Sequence, residues 1–257
     1  MKYPLTCLEG NNNLAFVSVP IRPFTSDTAL GTGTGFFFQP VFGRTFLITN
    51  RHMVIEESDR FFPDHLALKM HTDPFHLEKS DDLIVPLYSA NGNRKPAWLE
   101  LDSTIDVIAL ELDPTELKNR VFHSFRQIDL ISPDIVVGVG DPLLVIGYPR
   151  GFSDETHNLP VFRQASVASV YPIPFQGRPF FLIDSELHPG TSGSAVITQP
   201  SIWMVKKDEA ELFEAPEYRL VGIHSATYDD LKLNIVWFAE LLMEIFRKAP
   251  GIELPTS

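Results

Sequence analysis

The feature that most limits how this chain can fold is a succession of short apolar runs, each cut off by turn residues before a helix could form. GTGFFFQP is followed by RTFLITN, then by DLIVPLYS, KPAWLEL and IDVIALELD. Further along come DIVVGVGDPLLVIGYP, VFRQASVASVYPI, RPFFLIDSEL, GSAVITQP and YRLVGIHSATY. Runs of about four to eight residues rich in Val, Ile, Phe and Tyr, bounded by Gly, Pro, Asn and Asp, read as strands. Many such strands at short spacing predict an all-β barrel or sandwich. With 21 prolines and 20 phenylalanines the chain has little room for helical periodicity, and the regular series of amphipathic helices that an α/β fold needs is missing. One exception is the C-terminus, where Ile235, Val236, Phe238, Ala239, Leu242, Met243 and Phe246 follow helical spacing. A helix is predicted over Asn234–Arg247, stopped by Pro250 and Gly251, and PTELKNRVF can hold a short helical turn at Pro114.

A length of 257 residues suits one large all-β domain or two small ones. Strand signals fade between Asp113 and Asp134, where Pro114 and Pro133 punctuate the chain, so the expected division is 1–120 and 121–257. The charged stretch Lys206–Glu217 reads as an exposed loop between two strands. A net charge of −12 repels phosphate backbones, which sets nucleic acid aside as a partner. The single cysteine, Cys7, allows no internal disulfide, and MKYPLTCLEG lacks the pattern of a secretion signal. No apolar run reaches the roughly 18 residues of a membrane span. The expectation is therefore a cytoplasmic protein with no membrane partner.

Three stretches carry chemistry. In HPGTSGSAV, residues 188–196, Ser192 sits in a tight turn among glycines and small residues, with its hydroxyl exposed. The N–H groups of Gly190 and Ser192 would form an oxyanion hole there, although a plain Gly/Ser turn reads the same way. In FLITNRHMV, residues 46–54, His52 stands just past the end of an apolar strand. A serine hydroxyl is a poor nucleophile at neutral pH and needs a base such as histidine, while a lone histidine is more often a satisfied core residue. In STIDVIALELD, residues 103–113, Asp106 opens an apolar strand and would be tolerated there if it oriented the histidine; Asp102 is its rival. Their order decides between families of site, because His, Asp, Ser is the chymotrypsin order, whereas α/β-hydrolases run Ser, Asp, His and subtilisins Asp, His, Ser.

The chain resembles the bacterial trypsin-like peptidase domain of the chymotrypsin superfamily, and is similar to the core of Deg-type proteases. The matching pieces are GTGTGFFF with FLITNRHMV, then IDVIALEL, VGDPLLVIGYPRG, HPGTSGSAV and LVGIHSATY, in order over about residues 30–240. The resemblance implies two six-stranded antiparallel barrels with the active site between them, and a serine endopeptidase acting through an acyl-enzyme. It implies His52 as general base, Asp106 as its orienter and Ser192 as nucleophile. A polypeptide substrate, no cofactor and a possible regulatory protein partner go with it. Ser194 departs from the family's usual glycine, as in glutamyl endopeptidases, and the quality-control role of Deg-type enzymes does not carry over.

By the same resemblance, the substrate side chain before the scissile bond lies between Asp184–Pro189 and Gly222–Tyr228. Glu186 stands where trypsin-like enzymes bind Lys or Arg, and His224 where glutamyl endopeptidases bind an acidic side chain. Ser225 would contact the substrate backbone and Thr227 would narrow the pocket entrance. Small or apolar, acidic and basic substrates all remain open. GTGTG at 31–35 lacks the Lys-Ser/Thr of a phosphate loop and reads as a turn into a strand. His65, His71 and His76 match no common ligand spacing, so no metal is expected. Two other readings are a catalytically silent peptide-binding module of the same fold, and an esterase of the α/β-hydrolase class with His224 as base. The second lacks its helices.

Overall fold

A computed structural model describes residues 10–89, 95–200, 218–228 and 230–254. Cys7 and the Lys206–Glu217 stretch lie outside the described residues. The first lobe begins with β1 (Ser18–Thr25), β2 (Thr28–Ala29), β3 (Gly33–Val41) and β4 (Arg44–Thr49). It continues with β5 (His65–His71), β6 (Ser80–Pro86), β7 (Trp98–Leu99), β8 (Ile108–Glu111) and β9 (Phe125–Arg126). The second lobe holds β10 (Pro142–Gly147), β11 (Val161–Val167), β12 (Phe180–Asp184), β13 (Ala195–Thr198), β14 (Leu220–Tyr228) and β15 (Leu233–Phe238). Two short α-helices, α1 (Pro114–Leu117) and α2 (Leu241–Lys248), and several 3-10 turns join them.

The second lobe is a closed antiparallel barrel of six strands in the order β10-β11-β12-β15-β14-β13. The first lobe is a sheet of nine strands, with the path β6-β5-β1-β3-β4-β8-β7, β2 beside β1 and β9 parallel to β3. Its regular ladder leaves β6 and β7 at opposite edges. The chain after β6 bridges them: the Ala97 N–H donates to the Leu87 carbonyl and the Ser89 N–H to that of Lys95, each at 3.0 Å. The sheet thus curls round to meet itself through an irregular seam. The expected all-β, two-lobed chymotrypsin-like architecture is present, with the regular six-stranded closure confined to the second lobe.

β3 explains why the lobes stay together. Successive side chains of a strand point to opposite faces. Phe37 therefore packs into the first-lobe core with Ile21, Leu47 and Leu68, while Phe36 and Phe38 join the larger core shared with the second barrel. A run of three buried phenylalanines is the pattern of a strand covered on both sides.

The predicted helix over Asn234–Arg247 is corrected. Asn234–Phe238 is strand, paired with β12 on one side and β14 on the other, and the helix begins at Leu241. An apolar run offers the same residues to either state, and here closing the barrel requires the strand. The helix at Pro114 does form, with Asp113 capping it by accepting from the Thr115 N–H. α2 carries the chain back to the first lobe. Phe246 is fully buried, stacked on Phe38 at 5.7 Å and edge-on to Phe46 at 4.9 Å. Arg44 Nη1 also donates to the Gly251 carbonyl at 2.9 Å. Replacing Phe246 with Ala should destabilise the protein by about 3–5 kcal/mol, read as a shifted urea midpoint at constant slope. A shift below about 1 kcal/mol would mean α2 is not part of the cooperative core.

Candidate active site

The GTGTG segment, read from sequence as a turn into a strand, ties the two lobes together at Thr34. The Thr34 N–H donates to the Ser192 carbonyl at 2.9 Å. Its hydroxyl donates to the Gly190 carbonyl at 2.8 Å and accepts from the Tyr148 N–H at 3.0 Å. Its own carbonyl accepts from Thr49 Oγ1 at 2.9 Å. Thr34, Thr49, Tyr148 and Gly190 are buried, so the bonds among them replace solvation that is no longer available. Gly193 completes the contact. It sits at φ +84°, and a Cβ there would come within 2.1 Å of the Thr34 carbonyl oxygen. The other side of the turn is fastened to β14, where the Gly193 N–H donates to the His224 carbonyl and the His224 N–H to that of Ser194, both at 2.9 Å.

His52 lies in a short 3-10 turn, Arg51–Met53, immediately after β4. Its Nδ1 is 2.7 Å from Asp106 Oδ2, and its backbone N–H donates to Asp106 Oδ1 at 2.9 Å. An ionised carboxylate only accepts, so Nδ1 carries the proton and Nε2 is left basic. Asn50 Nδ2 holds the Asp106 carbonyl at 2.7 Å. From the second lobe, Ser225 Oγ donates to Asp106 Oδ2 at 2.6 Å. Asp102 is engaged elsewhere, accepting from the Thr104 N–H and hydroxyl in a local turn that holds its carboxyl below the usual range. Of the two candidate carboxylates, Asp106 is the one brought to His52. Asn50 and Ser225 were not read from sequence as its partners; a buried asparagine just before the histidine is the one hint available.

Ser192 Oγ donates to the Ser225 carbonyl at 3.1 Å. Among the described residues no hydrogen bond joins it to His52. The β14–β15 ladder shifts register between His224 and Thr227, which lifts Ser225 out of regular pairing and turns it toward the cleft. The N–H groups of Gly190 and Ser192 have no acceptor among the described residues. Gly190 has φ +95°, and the Arg150 N–H donates to the Pro189 carbonyl at 2.5 Å. In a trans peptide the C=O and N–H point in opposite directions. Holding the Pro189 carbonyl on Arg150 therefore turns the Gly190 N–H the other way. Arg150 itself adopts φ +53°, a costly region for a residue with a side chain.

The remaining candidates separate. Glu186 is exposed, and its described contact is through its carbonyl, which accepts from Arg163 Nη2 at 2.6 Å. His224 is 2% exposed, with Nδ1 donating to the Thr191 carbonyl at 2.9 Å and Nε2 unpartnered among the described residues. Burial pushes its pKa down to about 4, so the ring is neutral near pH 7. Thr227 Oγ1 donates to Asn234 Oδ1 at 2.7 Å. Ser194 is fully buried with its hydroxyl unpartnered among the described residues. His65, His71 and His76 each have separate partners: Asp64, the His157 carbonyl and Glu78.

A family model described as the trypsin-like peptidase domain matches residues 33–201, which includes His52, Asp106 and Ser192. The chain belongs to the trypsin-like peptidase family. It is a serine protease of chymotrypsin-like fold. Among solved structures, this peptidase is similar to a serine endoprotease from Yersinia pestis, with 15% identity, 96% of this chain and 67% of that one covered, and a TM-score of 0.55. It is also similar to the active form of the Rv3671c protease from M. tuberculosis, at 15% identity, with 99% and 90% covered and a TM-score of 0.53. No curated protein matches it. No helix of the peptidase is long and apolar enough to cross a membrane, among the described residues.

The Thr34 contact can be tested directly. Thr34→Val keeps the shape but leaves the Gly190 carbonyl and the Tyr148 N–H without a partner. The expected cost is about 1–3 kcal/mol for each group so stranded, measured by urea unfolding. Thr34→Ser should recover most of it. Equal stability of the valine and parent proteins would show that the hydroxyl does not tie the lobes.

Proposed function

We propose that this trypsin-like peptidase is an endopeptidase in which Ser192 is the nucleophile, His52 the general base and Asp106 the residue that orients it. The observation that carries the reading is the convergence on Ser225, whose hydroxyl donates to Asp106 Oδ2 while its carbonyl receives the hydroxyl of Ser192. Orienter and nucleophile, drawn from two lobes, thereby meet on one residue, and the base is held by the orienter.

In the resting site the Ser192 hydroxyl is parked on the Ser225 carbonyl. An incoming peptide offers that carbonyl its own N–H, and the released hydroxyl turns to His52 Nε2. His52 takes the proton as Ser192 Oγ bonds to the substrate carbonyl carbon. The charge that develops on the carbonyl oxygen is met by the N–H groups of Gly190 and Ser192, each worth about 3 kcal/mol in such a role. His52 then gives its proton to the departing amine, leaving an acyl-enzyme. Water repeats the sequence in reverse and frees the serine. Long or unformed catalytic hydrogen bonds are common before substrate binds, so the parked hydroxyl is compatible with catalysis. It also fits an enzyme held at rest until substrate or a regulatory protein partner engages the cleft.

The same parked hydroxyl favours a second reading, a silent peptide-binding module. A fluorophosphonate reagent separates the two, because only an activated serine is modified. The parent should be labelled, Ser192→Ala should not, and Asp106→Asn should react about 10⁴-fold more slowly while remaining folded. A folded parent that binds peptide and resists the reagent would establish the module. Normal labelling of Asp106→Asn with loss in Asp102→Asn would reassign the carboxylate.

A further inference from the structure

β6 forms an open edge of the first lobe, and its pairing with β5 shows which backbone groups that edge offers. The Leu87 N–H donates to the Asp64 carbonyl at 2.9 Å. Bonding alternates along an antiparallel ladder, so Val85 and Leu83 also bond to β5. The N–H and C=O groups of Asp82 and Ile84 therefore face the other way, where no strand meets them among the described residues. Pro86, next in the same set, has no N–H to offer. The same alternation applies across the gap on β8. There the Leu112 N–H donates to the Thr45 carbonyl at 3.0 Å, which turns the backbone groups of Glu111 away from β4 and toward the gap.

Between these two edges lies a cleft of about 500 Å³. Leu83, Val85, Leu110 and Leu112 line it from the first-lobe core, and Ile84 lines it while 53% exposed. An unpaired backbone edge beside apolar side chains is a template for another extended chain. Side chains of β6 alternate, with Leu83 and Val85 inward and Asp82 and Ile84 outward. A strand laid along β6 must alternate in the same way, one set of side chains on the buried leucines and the other at the surface.

Charge selects that other set. Asp82, Glu111, Asp113 and Glu116 line the cleft against one cation, Arg120, and Arg120 is already paired with Asp81. Arg22 and Arg44 answer Asp82 and Glu111, whereas Asp113 and Glu116 have no ion pair among the described residues. A guard of one sign on a sheet edge admits the opposite sign. A second copy of this chain would bring another acidic edge and be repelled. We propose that the cleft docks an extended basic segment of a partner protein, added as a strand to β6 with apolar residues inward and Lys or Arg outward. The proposal is independent of which residue is the nucleophile.

A fluorescein-labelled peptide of three Lys-Val repeats tests it, beside one of three Glu-Val repeats, by anisotropy with each probe recovered intact. The Lys-Val peptide should bind at least about tenfold more tightly, and less tightly as salt rises. Its binding should slow amide exchange in residues 80–86. Ile84→Pro removes an outward N–H while sparing the bonds to β5, and should weaken binding by about tenfold. Ile84→Thr keeps that N–H and should bind as the parent does. Glu116→Lys leaves the strand untouched and should narrow the gap between the two peptides severalfold. Equal binding of both peptides, exchange slowed only outside β6, or unchanged binding by folded Ile84→Pro would each overturn the proposal. So would a parent dimer that Ile84→Pro dissociates, since the occupant would then be a second copy. If Ile84→Pro does not fold, Glu116→Lys decides, and an unchanged gap overturns the proposal.

Discussion

The turn that carries Ser192 is held against the first lobe, and Thr34 is the residue that holds it. One buried threonine bonds the carbonyls of Ser192 and Gly190, the N–H of Tyr148 and the hydroxyl of Thr49. No solvent can substitute for these partners, so separating the lobes would strand several polar groups at once. The same contact sets the chain path on both sides of Ser192. It requires a left-handed residue without a side chain at position 193. Shape and hydrogen bonding thus act together to leave one arrangement of the turn.

Asp106 is the second constraint. Its carboxylate takes the ring and backbone N–H of His52 and the hydroxyl of Ser225, so it is shared between lobes. A carboxylate partly withdrawn from water needs donors. Those donors come from His52 in the first lobe and from Ser225 within β14 in the second. The register shift in β14 has the same consequence from the strand side, because it turns Ser225 into the cleft while His224 and Thr227 remain paired across to β15. The Pro189 carbonyl on the Arg150 N–H adds a third fixed point, which sets the direction of the Gly190 N–H.

Much of this could be read in the sequence. The strand runs, the chymotrypsin order of His52, Asp106 and Ser192, and the special turn around Gly190 and Gly193 are local or ordinal features, and they survive folding unchanged. The helix over Asn234–Arg247 was misread because Asn234–Phe238 is apolar at positions compatible with both periods. The choice was made by pairing with β12 and β14. The bonds of Asn50 and Ser225 to Asp106 and of Thr34 to Gly190 have no sequence signal for a related reason. Each side chain acts on a residue at least 56 positions away, as with Asn50 on Asp106, Ser225 on Asp106 and Thr34 on Gly190, and composition carries no record of such partners.

What the sequence by itself determined is the inventory: which strands can form, which residues have the chemistry of base, acid and nucleophile, and where glycine frees the backbone. What only the tertiary structure decided is selection among them. Asp106 was chosen over Asp102 because it, and not the locally satisfied Asp102, faces His52. His224 is buried on the Thr191 carbonyl and Glu186 is exposed. Asn234, unremarkable in the chain, is buried and bonded to Thr227 and to the Ser185 carbonyl. The physical reason is common to all of these. A polar side chain's role is set by the partner it finds once water is excluded, and in a β fold that partner comes from a distant strand whose register is known only when the barrel has closed.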